Sequence, residues 1–234
     1  MAYASVNGIP VTAGCLTLPR SGVWTALVSL DTSDAITREA KIDWGGLDLH
    51  GSLVRGGMES GSLWCQIVGG NGGLGRQMPA AGFRSLKLGA VLDAIMSASG
   101  EALSPSISSE LLGRRLAWFA IAGGQSCGSA LTRLAEAAAI DWRVLPDGRI
   151  WIGRESWPKS DASGDDIEVI EIAMASDRFR ARMPDASKAL PGQTWSGGRI
   201  DRIEHSLSGS DFSSVIWLDR EDEGLTFLAA ASEG

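Results

Sequence analysis

Three groups of residues in this 234-residue chain have types and spacings that chemistry uses. Gly124-Gln125-Ser126-Cys127-Gly128 matches G-x-S-x-G, the sharp strand-to-helix turn that presents a nucleophilic serine. Asp165 or Asp166 and then His205 follow it in serine-hydrolase order. That elbow needs parallel strands before it and an oxyanion loop beside it, and the upstream sequence reads as antiparallel β. Ser126 is therefore read as the N-cap of a helix that starts near Cys127. Gly70-Asn71-Gly72-Gly73-Leu74-Gly75 matches G-x-G-x-x-G after an apolar strand. A dinucleotide site needs a helix to begin at that turn, and Pro79 stands where its first turns would be. The loop is read as a flexible or partner-contacting excursion. His205 lies in Ile203-Glu204-His205-Ser206-Leu207, where alternation puts His205 and Leu207 on one face of a strand. His50 sits at another strand end. The acids are dispersed, and the two histidines and Cys15, Cys65 and Cys127 lack metal-ligand spacing. We expect no catalytic residue, no cofactor and no metal.

The elements that would hold these residues are mostly strands. Asn7-Gly8 between short extended pieces is a strong two-residue hairpin signal. Glycine pairs then break the chain every eight to twelve residues to about residue 82, the pattern of a sandwich or barrel. Leu88, Val91, Leu92, Ile95 and Met96 share one helical face, with Gly100 as the stop. Leu131, Leu134, Ala135 and Ala138 mark a second helix, and the apolar run Leu116 to Ala122 between them reads as either strand or helix. After residue 140 β returns. Trp142 and Trp151 flank a Pro146-Asp147-Gly148 turn, and Ser160 to Asp166 is a polar linker. A closing strand pair surrounds a turn at 208–211. The expected fold is mainly β with a helical insertion: a first β-barrel region over 1–82, a helical insert over 83–140, a second β-barrel region over 141–222 and a tail over 223–234.

Bulk composition narrows the function. The net charge of −7 and pI of about 4.9 oppose a dedicated nucleic-acid or anionic-membrane binder. Three scattered cysteines suit a reducing compartment rather than a disulfide scaffold. No stretch reads as a signal peptide or is long enough to span a bilayer, so we expect a soluble chain made in the cytoplasm. Nine tryptophans against one tyrosine is an unusual bias. Each buried indole N–H needs a partner, which places several at domain or subunit contacts.

The region Gly128 to Asp219 resembles the baseplate hub proteins at the tip of tailed-phage tails. The resemblance is carried by the hairpin with Trp142, Asp147, Gly148, Trp151 and Gly153, by the Leu190-Pro191-Gly192 turn, and by the strand running into His205 and Leu207. It implies a non-enzymatic virion protein made of two tail-tube-like antiparallel barrels joined by a helical segment. It also implies a homotrimer at the baseplate, joining the tail tube or distal tail protein to the spike or central fibre, with the tape measure protein as a neighbour. DNA would pass through without sequence-specific binding, and acidic side chains toward the lumen would repel it. On that reading Trp142, Asp147, Gly148, Trp151, Leu190, Pro191, Gly192, Trp195 and Trp217 are turn, core or interface anchors. The alternatives are a carbohydrate- or receptor-binding β-module with exposed tryptophans, and a hydrolase using Ser126 and His205.

Overall fold

The computed structural model describes residues 3–59, 61–163, 165–173 and 177–219. The tail expected over 223–234 lies outside them. Asn7 and Gly8 take positive φ angles and join β1 (Ala4–Val6) to β2 (Ile9–Pro19) as a two-residue hairpin. Next come β3 (Thr25–Leu30), β4 (Glu39–Trp44), β5 (Leu47–Glu59) and β6 (Ser62–Gly69). The antiparallel order β1-β4-β5-β6-β3-β2, with β1 also pairing β2, closes a six-stranded barrel. Its strands alternate buried and exposed side chains, as the period of two requires. Trp24 and Trp44 fill the interior, and the Trp24 ring lies against Gly51 and Gly69. Neither indole N–H has a hydrogen-bond partner among the described residues, against the expectation from sequence.

The insert begins with β7 (Ala81–Lys87), which pairs with β8 (Arg115–Ile121). Between and after them come α1 (Leu88–Ser99), α2 (Ser109–Gly113) and α3 (Cys127–Ala138). The apolar run around residue 118 is thus a strand, and Trp118 on it is 63% exposed. The five apolar residues expected on one face of α1 are all buried, and Gly100 ends the helix in the left-handed conformation. The inward residues named for α3 are buried as well.

Strands β9 (Asp141–Val144) and β10 (Ile150–Gly153) form a hairpin of their own. Trp142, Val144, Ile150 and Ile152 belong to one hydrophobic core with the barrel, α1 and α3. The hairpin thus packs with the barrel and the helices, and its apolar residues are not part of the second core. The reason is that the inner face of the hairpin finds its apolar partners on α3, where the Trp142 indole donates to Thr132 Oγ1 (3.2 Å).

The second β region comprises β11 (Glu168–Ala173), β12 (Arg178–Arg182), β13 (Thr194–Trp195), β14 (Gly198–Ser208) and β15 (Asp211–Asp219). It continues the barrel sheet in the order β2-β14-β15-β12-β11. This is possible because β2 is long: Ile9 and Pro10 pair with β1, while Ala13 to Pro19 pair with β14 on the same edge. Among the described residues one barrel is closed, and the second region is a sheet grown from its rim. A second core of Ile167, Phe179, Met183, Ile200, Ile203 and Ile216 lies beneath it. Tyr3 bridges the two regions by stacking on Phe212 (4.2 Å) and donating to the Met183 carbonyl (2.7 Å). No described helix is long and apolar enough to cross a membrane.

Candidate functional site

The hairpin turn and the Leu190-Pro191-Gly192 turn are 44 positions apart in sequence and meet in space. They share a cleft of about 290 Å³ with Leu18, Trp24 and Leu49 of the barrel. In the hairpin, Gly148 N–H donates to Leu145 O (2.9 Å), and the Asp147 carboxylate accepts from Arg149 N–H (3.0 Å). The turn is docked on the barrel, since Pro146 O accepts from His50 N–H (2.7 Å). The other end is docked too. Gly22, in the β2–β3 connection, donates to Trp142 O (2.7 Å) and accepts from Val144 N–H (2.9 Å).

Leu190 to Gln193 form a type II turn, with Gln193 N–H bonded to Leu190 O (3.3 Å) and Gly192 at φ +90°. Gly192 is required twice over. A side chain is strained at that φ, and a Cβ would stand 2.8 Å from Arg143 Nη1. Arg143 is opposite Trp151 across the β9–β10 pair, stacks on its ring (4.5 Å to the centroid) and pairs with Glu155. The Glu155 carboxyl is almost fully buried. Burial raises its pKa above the ordinary carboxylate value, although Arg143 acts the other way. The site is thus an apolar notch with one half-buried ion pair at its wall.

Three further Arg–Trp contacts tie neighbouring parts together. Arg20 reaches Asp141 of the hairpin (2.6 Å) and Asp201 of β14 (3.1 Å), and it lies 5.6 Å from the Trp157 ring that Arg199 also covers. Arg202 stacks on Trp217 across β14 and β15 (3.9 Å). Trp195 is half-buried, edge-on to Phe179. Much of the tryptophan excess therefore serves as flat partners for arginine where elements join. Arg20, Arg143, Glu155 and Trp157 were not singled out from sequence. The alternation that places Arg143 across from Trp151 was the available signal, but their burial depends on the Leu190 turn closing over them.

The residues that suggested hydrolysis are not brought together by hydrogen bonds. Ser126 caps α3, its Oγ accepting from Ser129 N–H (3.2 Å) and donating to Ser129 Oγ (2.9 Å). Asp166 accepts from the Ser163 N–H and hydroxyl (2.8 and 2.7 Å). His205 is buried on the same face as Ile203 and Leu207, with Nδ1 2.7 Å from Ser214 Oγ and Nε2 without a partner among the described residues. Desolvation lowers its pKa to about 4.

The glycine loop is a correction. It is pinned and not an excursion. Both Glu101 carboxylate oxygens accept from it, Oε2 from Asn71 N–H (2.8 Å) and Oε1 from Gly73 N–H (2.7 Å). The chain's own carboxylate occupies the amides that a phosphate would use. A Cβ on Gly73 would collide with the Ser99 carbonyl at the end of α1.

The arrangement can be compared with known structures. The 43 kDa tail protein of prophage MuSo2 from Shewanella oneidensis superposes with a TM-score of 0.66 at 12% identity, over 93% of this chain and 97% of that one. A tail protein from Neisseria meningitidis MC58 gives 0.65 at 13% identity, over 93% and 95%. This chain has the fold of phage tail proteins. The E. coli c3393 protein, a type VI secretion component with structural similarity to the T4 tail proteins gp27 and gp5, gives 0.65 at 10% identity, over 94% and 77%. The chain matches no protein-family model and no curated protein.

Proposed function

We propose that this chain is a structural protein of the virion tail, a baseplate hub that joins the tail tube to the spike or central fibre. The observation that carries the reading is the end-to-end likeness to two tail proteins, which leaves little of either chain unmatched. In the proposed assembly three copies form a ring around the DNA path. The ring contacts the tube or distal tail protein, the tape measure protein and the spike, and is assembled in the host cytoplasm. DNA passes through without sequence-specific contacts, in keeping with the net charge of −7.

The hub acts without catalysis. In support, the hydroxyl of Ser126 is spent on a helix cap and the imidazole of His205 is buried beside Ser214. A sugar-binding module would gather tryptophans on one open face. Here Trp24, Trp44 and Trp142 are buried, while Trp151, Trp157 and Trp217 lie against arginines.

The test is the mass and symmetry of the full chain, by light scattering and negative-stain averaging, alone and with neighbouring tail proteins. A threefold ring with a central hole is expected. A monomer that joins no ring with any tail partner overturns the hub. Labelling of Ser126 by a serine-reactive phosphonate would overturn the non-enzymatic reading.

A further inference from the structure

The main sheet closes on itself through β1 and β2 at one end and stops at β11 at the other. β11 has β12 on one side and no strand of the described residues on the other. A free edge offers its N–H and C=O groups to any chain that approaches, and proteins commonly blunt it with Lys or Pro. Glu168-Val169-Ile170-Glu171-Ile172 contains neither, and a bulge at Ile170 adds a third exposed aliphatic side chain. Val169, Ile170 and Ile172 are 41–49% exposed. Val169 and Ile172 pair with Ala181 and Phe179, both in the second core. The core face of the sheet thus runs on into the open at β11.

The barrel has a second free edge. β5 is thirteen residues long, and β4 covers only Leu47 to Ser52. Beyond Leu53 its residues pair with β6 alone among the described strands. Val54 and Met58 there are exposed apolar residues, with Arg55 exposed between them.

We propose that these edges are the two halves of one contact between copies of this chain: β11 of one copy adds to the outer half of β5 of the next. Charge selects this pairing. Two β11 strands laid together would bring Glu168 and Glu171 of both copies onto one strand pair, four carboxylates whose cross-strand arginines, Arg182 (4.0 Å from Glu168) and Arg180 (opposite Glu171), stand one strand back from the new contact. The β5 edge offers Arg55 and two large apolar side chains, with Glu59 at its end as its one carboxylate. The contact uses a different patch on each copy, so it is head-to-tail and propagates around a ring. That the ring holds three copies rests on the hub reading.

The test uses the full chain in a Cys15→Ser background, with a short bismaleimide as cross-linker. A mixture of Ile170→Cys and Met58→Cys chains should cross-link, neither alone should, and the double variant should give a ladder ending in a closed species. Ile172→Lys and Met58→Lys should each weaken assembly about tenfold or more in light scattering. Cross-linking by Ile170→Cys alone overturns the pairing in favour of a two-fold contact. An intact ring that ignores all these substitutions overturns the pairing and leaves the hub reading standing. A wild-type chain that stays monomeric at every concentration overturns the self-contact, and its behaviour with tail partners then tests the hub separately. A double variant that cross-links only within one chain overturns it as well.

Discussion

Acid should find the chain's weak point at His205. Its folded pKa of about 4 lies below that of the exposed imidazole, because burial penalises the charged ring. The neutral form is the one that folds. Stability is therefore intact above pH 6.5 and falls as the unfolded chain takes up a proton that the folded chain refuses. With about 6.5 for the unfolded imidazole, the loss is about 2 kcal/mol by pH 5 and about 3 kcal/mol by pH 4. Protonation would place a charge on the inner face of β14, between Ile203 and Leu207 and across from Leu16, where Nε2 has no acceptor. The control is His205→Leu with Ser214→Ala, which removes both polar partners and leaves neither stranded. Urea midpoints are measured at pH 7, 6 and 5. The carboxylates titrate alike in both proteins, so the difference between the two curves isolates the imidazole. The wild type should lose about 2 kcal/mol more than the double variant between pH 7 and pH 5. Parallel curves would refute the reasoning, because His205 would then titrate as an exposed residue.

Arg143→Met should cost about 1–2 kcal/mol by leaving the Glu155 carboxylate of this half-buried pair without its partner, and adding Glu155→Leu should recover most of it in the same urea assay. Gly192→Ala should lower stability by more than about 1 kcal/mol, from its positive φ and the approach of Arg143, with a reduced melting temperature as the readout. Gly73→Ala should be worse, more than about 2 kcal/mol, because the Ser99 carbonyl belongs to helix backbone and cannot step aside. Glu101→Ala should raise hydrogen exchange at the Asn71 and Gly73 amides selectively, since both depend on its carboxylate.

Local periodicity and turn chemistry were legible from sequence. Asn7-Gly8 specified a hairpin, five apolar residues at helical spacing specified the inner face of α1, and alternation put His205 with Leu207. Each depends on residues within one or two turns of the chain. The Ser126 cap was legible for the same reason, since its partner is three residues away. What crosses the chain was not. The indoles of Trp24 and Trp44, enclosed by the barrel, have no hydrogen-bond partner among the described residues. Glu101 fills the glycine loop from 28 residues away, and no local pattern announces a carboxylate that reaches back across α1.

The sequence by itself determined the mainly β character, the helical insertion and the turns, because hydrophobic period and backbone preference are properties of neighbours. The tertiary structure alone decided that β2 joins the barrel to the second β region, that the β9–β10 hairpin packs with α3, and that Arg143 and Glu155 are half-buried together beside the Leu190 turn. These follow from which apolar face finds which cover, a choice made across 183 positions where Pro19 meets Arg202 and across 47 where the Leu190 turn meets Arg143.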